Sequence, residues 1–456
     1  MPWVLFAVSL VGVALMVNAY APMRHGLLAV VSFTLGWLIG ELPLQTIAAE
    51  LVATGLFAWA HAFAAWPGWV GLGLGIVQWT GLVSLAVSGQ RAGRIVDEAL
   101  AGASGGPVVL PDGDHRPVWN RGWRLALAIP LRFRSVERVR NVDYWGDGNY
   151  RHKLDVIRSR RDRPTAGPVL VYIHGGAWMI GDKREQGIPM MHELARRGWV
   201  CVAINYRLSP RATWPAHVVD CKRALAWVRQ HIADYGGDPG FVAVSGGSAG
   251  GHLAALVALT AGDPEWQPGF EDGDTRVDAC VPFYGVYDLT GANSGPDRYS
   301  RELRAMLEER VVKVHLADDP DTFERASPTS RVHAGAPPMF VLHGRNDTLV
   351  PVEVARIFVE TLRSTSRAPV AYAELPLAQH AFDVLASLRC RHTTLGVVRF
   401  LEATRAGVAS PARSGGSPRT DDTAGGSGDT VHAPGAPDRA RPAGAPGPTG
   451  PVGRRA

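Results

Sequence analysis

Long uncharged apolar runs, separated by short polar breaks, dominate residues 1–90. Residues 2–20 and 69–87 contain no charged side chain, and two shorter apolar runs, 26–40 and 51–65, lie between them. A bilayer-spanning helix requires about 20 predominantly apolar residues, which the middle runs reach only with their flanking residues. The pattern predicts three or four transmembrane helices in residues 1–90 and a multi-pass protein in contact with membrane lipid.

Two other interpretations of the apolar runs stay open. Residues 1–20 could be a cleaved signal peptide with the cleavage site near Val17-Asn18-Ala19, although no Lys or Arg precedes the apolar run. The runs could also form a pair of buried core helices, although so long a charge-poor stretch exceeds what one globular domain needs. We therefore keep the membrane interpretation.

The arginines beside the apolar runs predict the orientation. Positively charged residues in short loops favour the cytoplasmic face. Arg91 and Arg94 follow the last run, and Arg24 is the only Lys or Arg in the first ninety residues. Three spans place these arginines on one side, whereas four spans place Arg24 opposite the other two. Both counts predict that the domain after residue 90 faces the cytoplasm.

Two glycine-containing stretches in the middle of the chain each follow an apolar, strand-like run. HGGAW (174–178) follows the run 169–173, and GGSAGG (246–251) follows the run 241–244. The second stretch has the Gly-x-Ser-x-Gly form of a nucleophile elbow. Small neighbours are needed there because a Cβ would clash on so sharp a strand-to-helix turn. The pattern predicts that Ser248 is a nucleophile.

Two later strand-like runs lead into residues that could complete a catalytic triad. Asp347 lies in the polar turn after the run 339–342, and His380 follows the run 370–375. Either residue alone would be read as a turn or surface residue. Together they follow Ser248 in the order Ser, Asp, His, which predicts an orienting carboxylate and a general base. Asp383 stays open as an alternative carboxylate.

These motifs resemble the α/β-hydrolases of the hormone-sensitive-lipase-like carboxylesterase group. The resemblance covers about residues 135–405 and implies an α/β-hydrolase fold with a doubly wound, mostly parallel sheet. It also implies hydrolysis of carboxylic esters through Ser248, His380 and Asp347. Further matching stretches are GDK (181–183), NYRLSP (205–210), GDP (237–239) and FYGVYDL (283–289).

The resemblance also indicates an oxyanion hole made of backbone N–H groups. Ala249, which follows the nucleophile, would supply one donor, and Gly175, Gly176 or Ala177 would supply the others. The family pattern favours Gly176 and Ala177.

The chain departs from many relatives at two positions of these motifs. Gly247 stands where they carry Asp, and Ala177 stands where they carry a third Gly. A backbone donor at Ala177 survives that change provided that its φ is negative.

Small-molecule or lipid esters are the expected substrates. The alternatives are an amidase or peptidase acting through the same triad, and a catalytically idle, membrane-tethered binding module. No metal ion or organic cofactor is expected. Nucleic-acid binding is not expected either, because the net charge of +5 is not gathered into a basic stripe with interleaved aromatic residues.

The predicted organisation has four parts. Transmembrane helices occupy residues 1–90, a linker that could serve as a lid occupies 91–134, and the hydrolase domain occupies 135–408. The tail at 409–456 is rich in Gly, Pro and Ala and is predicted to be disordered. Residues 290–325 are a second lid candidate. Because the motifs are self-contained, we expect residues from about 105 to 408 to fold and hydrolyse soluble esters alone.

Overall fold

The computed structural model of the chain describes residues 1–24, 27–109, 135–161, 163–291 and 298–407. The tail predicted to be disordered, 409–456, lies outside these residues. Residues 110–134 of the predicted linker and 292–297 of the second lid candidate also lie outside them.

One sheet of eight strands forms the centre of the region after residue 135, in the order β1-β2-β4-β3-β5-β6-β7-β8. The first two strands are antiparallel to their neighbours, and the other six run parallel. The predicted α/β fold with a mostly parallel sheet is confirmed. The strands are β1 (Val136–Asp143), β2 (Lys153–Ser159), β3 (Gly167–Ile173), β4 (Val200–Ile204), β5 (Gly237–Gly247), β6 (Ala279–Phe283), β7 (Met339–Gly344) and β8 (Val370–Leu375).

Helices cover both faces of the sheet, which explains why β3, β4, β6 and β7 are buried at every position. The described helices that follow the first strand are α5 (Ile188–Arg196), α6 (Ala216–His231), α7 (Ala249–Leu259), α8 (Arg298–Met306), α9 (Pro320–Arg325), α10 (Val352–Thr365) and α11 (Leu388–Arg405). One face of the sheet packs mainly against α6, α7 and α10. The other face packs against α5, α11 and the long helix α4 (Trp66–Ser104), which precedes the sheet.

In the described residues before the sheet there are four α-helices: α1 (Pro2–Tyr20), α2 (Leu27–Glu41), α3 (Pro43–Trp59) and α4 (Trp66–Ser104). By length and composition, α1 and α4 could each cross a membrane. Helices α2 and α3 meet the same criterion only as a pair, and a bend of 86° separates them. Helix α3 begins with Pro43, which fits the first turn of a helix but cannot continue the preceding one.

Helix α4 crosses the boundary that the sequence analysis placed at residue 90. It continues without interruption to Ser104, so the first residues of the predicted linker are helical. Its last turns present Ala92, Val96 and Leu100 at a spacing of four residues, and all three are buried in the core on one face of the sheet. The second half of α4 therefore belongs to the core of the hydrolase domain. This packing argues against the expectation that residues from about 105 fold alone.

Candidate active site

Ser248 lies at the sharp turn between β5 and α7, with φ +58° and ψ −124°. The turn leaves no room for side chains beside it. A Cβ added to Gly246 would lie 2.4 Å from the carbonyl oxygen of Gly250, and one added to Gly250 would lie 2.1 Å from that of Ile173. Only glycine fits at these two positions. This strand–turn–helix geometry is that of a nucleophile elbow, which presents the serine at the edge of the sheet.

Asp347 and His380 lie together on the loops that follow β7 and β8. The Nδ1 atom of His380 is 2.6 Å from Oδ2 of Asp347, and both side chains are buried. Parallel strands deliver their following loops to one edge of the sheet, so the two residues meet although they are 33 positions apart. The contact fits an imidazole whose Nδ1–H donates to a carboxylate, which leaves Nε2 free to accept a proton.

The carboxylate of Asp347 is held in place from several sides. Its Oδ1 accepts the backbone N–H groups of Leu349 and Val350, each at 2.8 Å. The Nε2 atom of His343 lies 3.4 Å from Oδ2. Burial by itself would raise the pKa of Asp347, but His380 and His343 together hold it well below its usual value. Asp347 is therefore a charged carboxylate at neutral pH.

Asp383 has a different partner. Its Oδ1 accepts the hydroxyl of Tyr284, and both residues are buried. Burial raises the pKa of the Asp383 carboxyl to about 6, against the lowering effect of the hydrogen bond from Tyr284. Of the two carboxylates that the sequence left open, Asp347 is the one that contacts the His380 imidazole directly.

Tyr284 joins the elbow to His380. Its ring centroid lies 4.4 Å from that of His380. On the other side, a Cβ added to Gly247 would lie 2.8 Å from the Tyr284 hydroxyl oxygen and about equally close to two ring carbons. The glycine that replaces the relatives' Asp beside Ser248 is thus explained, because the Tyr284 ring occupies the space that a side chain at position 247 would need.

The loop after β3 carries the predicted oxyanion donors in a left-handed backbone. Gly176, Ala177 and Trp178 have φ values of +117°, +51° and +59°. The condition that the sequence analysis set for the Ala177 donor, a negative φ, is not met, but the backbone N–H is present in either conformation. This backbone favours glycine at position 177, since a Cβ there crowds the following carbonyl. Residues held in such strained conformations cluster at functional sites.

Gly175 is placed differently from the other donors. Its N–H donates to Oε1 of Gln186 at 2.8 Å, so it is already used. Within the described parts of the chain, the N–H groups of Gly176, Ala177 and Ala249 have no hydrogen-bond acceptor. A Cβ added to Gly175 would lie 3.1 Å from the Cβ of Ser248, so this loop passes close to Ser248. The geometry thus favours Gly176, Ala177 and Ala249 as oxyanion donors.

His252 fixes the far end of this loop. Its Nδ1 accepts the indole N–H of Trp178 at 3.3 Å, and its Nε2 lies 2.8 Å from the carbonyl oxygen of Ala326. Burial lowers the pKa of His252 to about 4, so the ring is neutral and can donate on one side while it accepts on the other. His252 on α7, the helix that follows Ser248, thus stabilises the left-handed turn at Trp178.

His174 supports the start of the loop. Its Nδ1 lies 2.8 Å from the carbonyl oxygen of Gly175, and its ring stacks on Tyr206 at 4.5 Å between centroids. Burial lowers the pKa of His174 to about 4. A neutral ring enclosed in this way is suited to support the loop, whereas His380 is the histidine that contacts the Asp347 carboxylate.

Comparison with known proteins identifies the family of this chain. The BD-FAE family model matches residues 154–362. The chain is 45% identical over 406 residues to the probable carboxylic ester hydrolase LipM of Mycobacterium tuberculosis, covering 86% of this chain and 91% of LipM. The chain belongs to the α/β-hydrolase family of carboxylic ester hydrolases.

Other relatives of this ester hydrolase carry the same description. Esterase LipQ of Mycobacterium tuberculosis is 46% identical over 318 residues, which are 68% of this chain and 75% of LipQ. The crystal structure of esterase B from Lactobacillus rhamnosis shares the fold, with a TM-score of 0.51 at 21% identity over 61% of this chain and 88% of that one.

The described parts of this ester hydrolase contain no candidate metal site. No group of three or more His, Cys, Asp or Glu side chains there could hold a metal ion. The four cysteines are buried and unpaired.

The N-terminal helices contribute contacts to the active site that sequence reasoning missed. The ring of Phe33 on α2 meets that of His380 edge to face, with 6.0 Å between centroids. The indole N–H of Trp37 donates to the carbonyl oxygen of Ala381 at 2.9 Å. Both aromatic residues lie in an apolar run, and no local signal distinguishes them from residues that face lipid. Sequence reasoning also assigned no role to Gln186, Tyr284, His252 and His343. The contacts of these residues are with partners that lie far away in the sequence or depend on the folded loops.

Proposed function

We propose that this ester hydrolase acts as a membrane-anchored serine carboxylesterase or lipase whose triad is Ser248, His380 and Asp347. The observation that carries the proposal is the 2.6 Å contact between His380 and the charged Asp347, on loops at the same edge of the sheet as the turn that carries Ser248.

In the proposed reaction, the hydroxyl oxygen of Ser248 attacks the ester carbonyl while Nε2 of His380 takes the hydroxyl proton. The negative charge that forms on the carbonyl oxygen is held by the N–H groups of Gly176, Ala177 and Ala249. One such donor typically contributes about 3 kcal/mol of transition-state stabilisation. His380 then gives its proton to the leaving alcohol, and water releases the acyl group by the reverse route.

Asp347 stabilises the imidazolium that forms on His380 and keeps Nδ1 protonated. This role requires a carboxylate that stays charged, which the low pKa of Asp347 supplies. Tyr284 packs against the ring of His380 and restricts its position.

Membrane anchoring is supported by the distribution of apolar surface. Among the described residues, all but four of the exposed large apolar side chains lie in residues 1–87. So concentrated an apolar surface is typical of segments that contact lipid. Arg24 donates to the carbonyl oxygen of Arg345, so it lies on the same side as Arg91 and Arg94, which follow the apolar part of α4. The positive-inside rule then favours a cytoplasmic hydrolase domain.

A fluorophosphonate probe tests the nucleophile, because only an activated serine reacts with it. Wild-type protein should be labelled and Ser248→Ala should not, and esterase activity should fall on the order of 10⁴-fold or more. Ser245→Ala is the matched control, since that buried hydroxyl donates to the carbonyl oxygen of Val281 in the sheet. Equal labelling of Ser248→Ala and wild type would disprove the assignment.

Sodium carbonate washing of membranes tests the anchor. The full chain should stay in the membrane fraction after washing, because spanning helices resist extraction. Release into the supernatant would contradict the anchor. Protease treatment of intact spheroplasts tests the side, and digestion of the domain without lysis would place it outside.

A further inference from the structure

Helix α2 contacts the hydrolase domain near its start, in its middle and at its end. Near its start, the carbonyl oxygen of Ala29 lies 3.4 Å from the hydroxyl of Thr348, which follows Asp347 directly. At its end, the buried carboxylate of Glu41 pairs with the buried guanidinium of Arg389 on α11. Both ends of the helix are therefore attached to the hydrolase domain, and α2 lies across it.

The middle of α2 covers the histidine loop. Phe33 meets His380 edge to face, and Trp37 is hydrogen-bonded to the backbone of Ala381. The two side chains are one helical turn apart on the same side of α2. Two aromatic side chains of α2 therefore contact the loop that carries His380, and Phe33 contacts the His380 ring directly.

The opposite side of α2 is apolar and exposed. Four large side chains there are 38–57% exposed: Leu28, Val31, Leu35 and Leu38. Soluble monomers rarely expose so continuous an apolar stripe. Helix α3 leaves at 86° from the end of α2, so the two are not one straight span. An uncharged apolar face that no other part of the described chain covers fits a position in contact with lipid.

Only the thickness of one helix then separates His380 from lipid. An α-helix with side chains is about 10 Å across. The loop that carries the predicted oxyanion donors also exposes an apolar side chain, Ile180, which is 70% exposed. Apolar surface thus flanks the nucleophile region from α2 and from the oxyanion loop.

We propose that the substrate is an ester of a long-chain fatty acid resident in the bilayer, and that its acyl chain reaches Ser248 past α2 along Phe33. The proposal rests on the triad and the membrane anchor proposed above. A bilayer-resident chain stays in apolar surroundings along this path, whereas an approach from water would expose it. Phe33 is then a specificity-determining residue for the acyl chain.

Two esters with one leaving group test the path on the full chain reconstituted in phosphatidylcholine vesicles. The substrates are 4-methylumbelliferyl palmitate dissolved in the vesicles and 4-methylumbelliferyl acetate added in water. Phe33→Trp enlarges the side chain that faces the path. It should lower the ratio of kcat/KM for palmitate to that for acetate at least 10-fold, mainly through KM for palmitate. Val31→Trp, on the exposed side of α2, should leave this ratio within 2-fold.

Two results would overturn the path. In one, Phe33→Trp leaves the ratio unchanged or lowers both activities equally, which would mean that Phe33 only supports His380. In the other, Val31→Trp lowers the ratio as much as Phe33→Trp. Failure of the triad itself gives a different result, since Ser248→Ala would then still hydrolyse the acetate ester.

Discussion

The indole N–H of Trp37 donates to the carbonyl oxygen of Ala381, the residue that follows His380, at 2.9 Å. This hydrogen bond joins the apolar N-terminal region to the loop that carries the proposed general base. Ala381 itself has φ +60°, a conformation that costs a non-glycine residue about 1–2 kcal/mol. The geometry of the histidine loop therefore depends on a partner that lies 344 residues earlier in the chain.

Removal of residues 1–104 should prevent folding, because it takes Val96 and Leu100 out of the core. Burial of these two side chains stabilises the fold by about 3–6 kcal/mol, against a typical total of about 5–15 kcal/mol. A chain that begins at residue 105 should accumulate as insoluble protein. A chain that begins at residue 88 keeps these contacts and should give a larger soluble, folded fraction. Equal yields of soluble protein from both chains would contradict a core role for α4.

Asp347→Asn should lower kcat about 10⁴-fold, because an amide cannot stabilise the imidazolium and favours the wrong imidazole tautomer. Asp383→Asn should cost far less, since Asp383 contacts Tyr284 and the new amide oxygen can still accept its hydroxyl. Hydrolysis of p-nitrophenyl butyrate by the two variants at pH 7.5 measures the difference. A nearly active Asp347→Asn beside an inactive Asp383→Asn would transfer the orienting role.

Asp383 should also make stability depend on pH. Its pKa is raised by burial to about 6, whereas an unfolded Asp titrates near 3.9. Between these values the folded chain binds the extra proton, so the contribution of Asp383 falls as pH rises from about 4 to 6. Melting temperatures in detergent micelles across this range should show that component in the wild type, and Asp383→Asn should lack it. Parallel curves for the two proteins would refute the assignment.

Ala177→Gly should stabilise the protein. A φ of +51° strains alanine, and glycine removes a cost of about 1–2 kcal/mol while adding roughly 0.4–1 kcal/mol of unfolded-state entropy. The net gain is below about 1.5 kcal/mol, which corresponds to a melting temperature higher by a few °C. Ala258→Gly, within α7, is the control and should lower the melting temperature. A lower melting temperature for Ala177→Gly would show that the strain is absent.

The parts of the site that follow strand ends could be predicted from the sequence. Ser248, Asp347 and His380 each come directly after a buried apolar run, and parallel strands deliver such residues to one edge of the sheet. Gly246 and Gly250 are needed for local steric reasons that the motif already expresses.

The contacts between distant segments could not be predicted in the same way. Phe33 and Trp37 resemble any aromatic residues in an apolar run, and only the folded chain shows that they contact His380 and Ala381. The positive φ of Ala177 depends on how Trp178 is held by His252. The helical end of α4 was missed because its arginines end the apolar run without ending the helix.

Helix α11, the last helix in the described residues, packs against α4, which precedes the sheet. A Cβ added to Gly396 on α11 would lie 2.2 Å from Cγ1 of Val96 on α4, so the two helices touch backbone to side chain. These residues are 300 positions apart in the sequence. At ribosomal rates of about 5–20 residues per second, roughly 15–60 s pass between the synthesis of α4 and that of α11. During that interval the second half of α4 presents an uncovered apolar face, and such transiently exposed apolar surface favours aggregation until α11 is made.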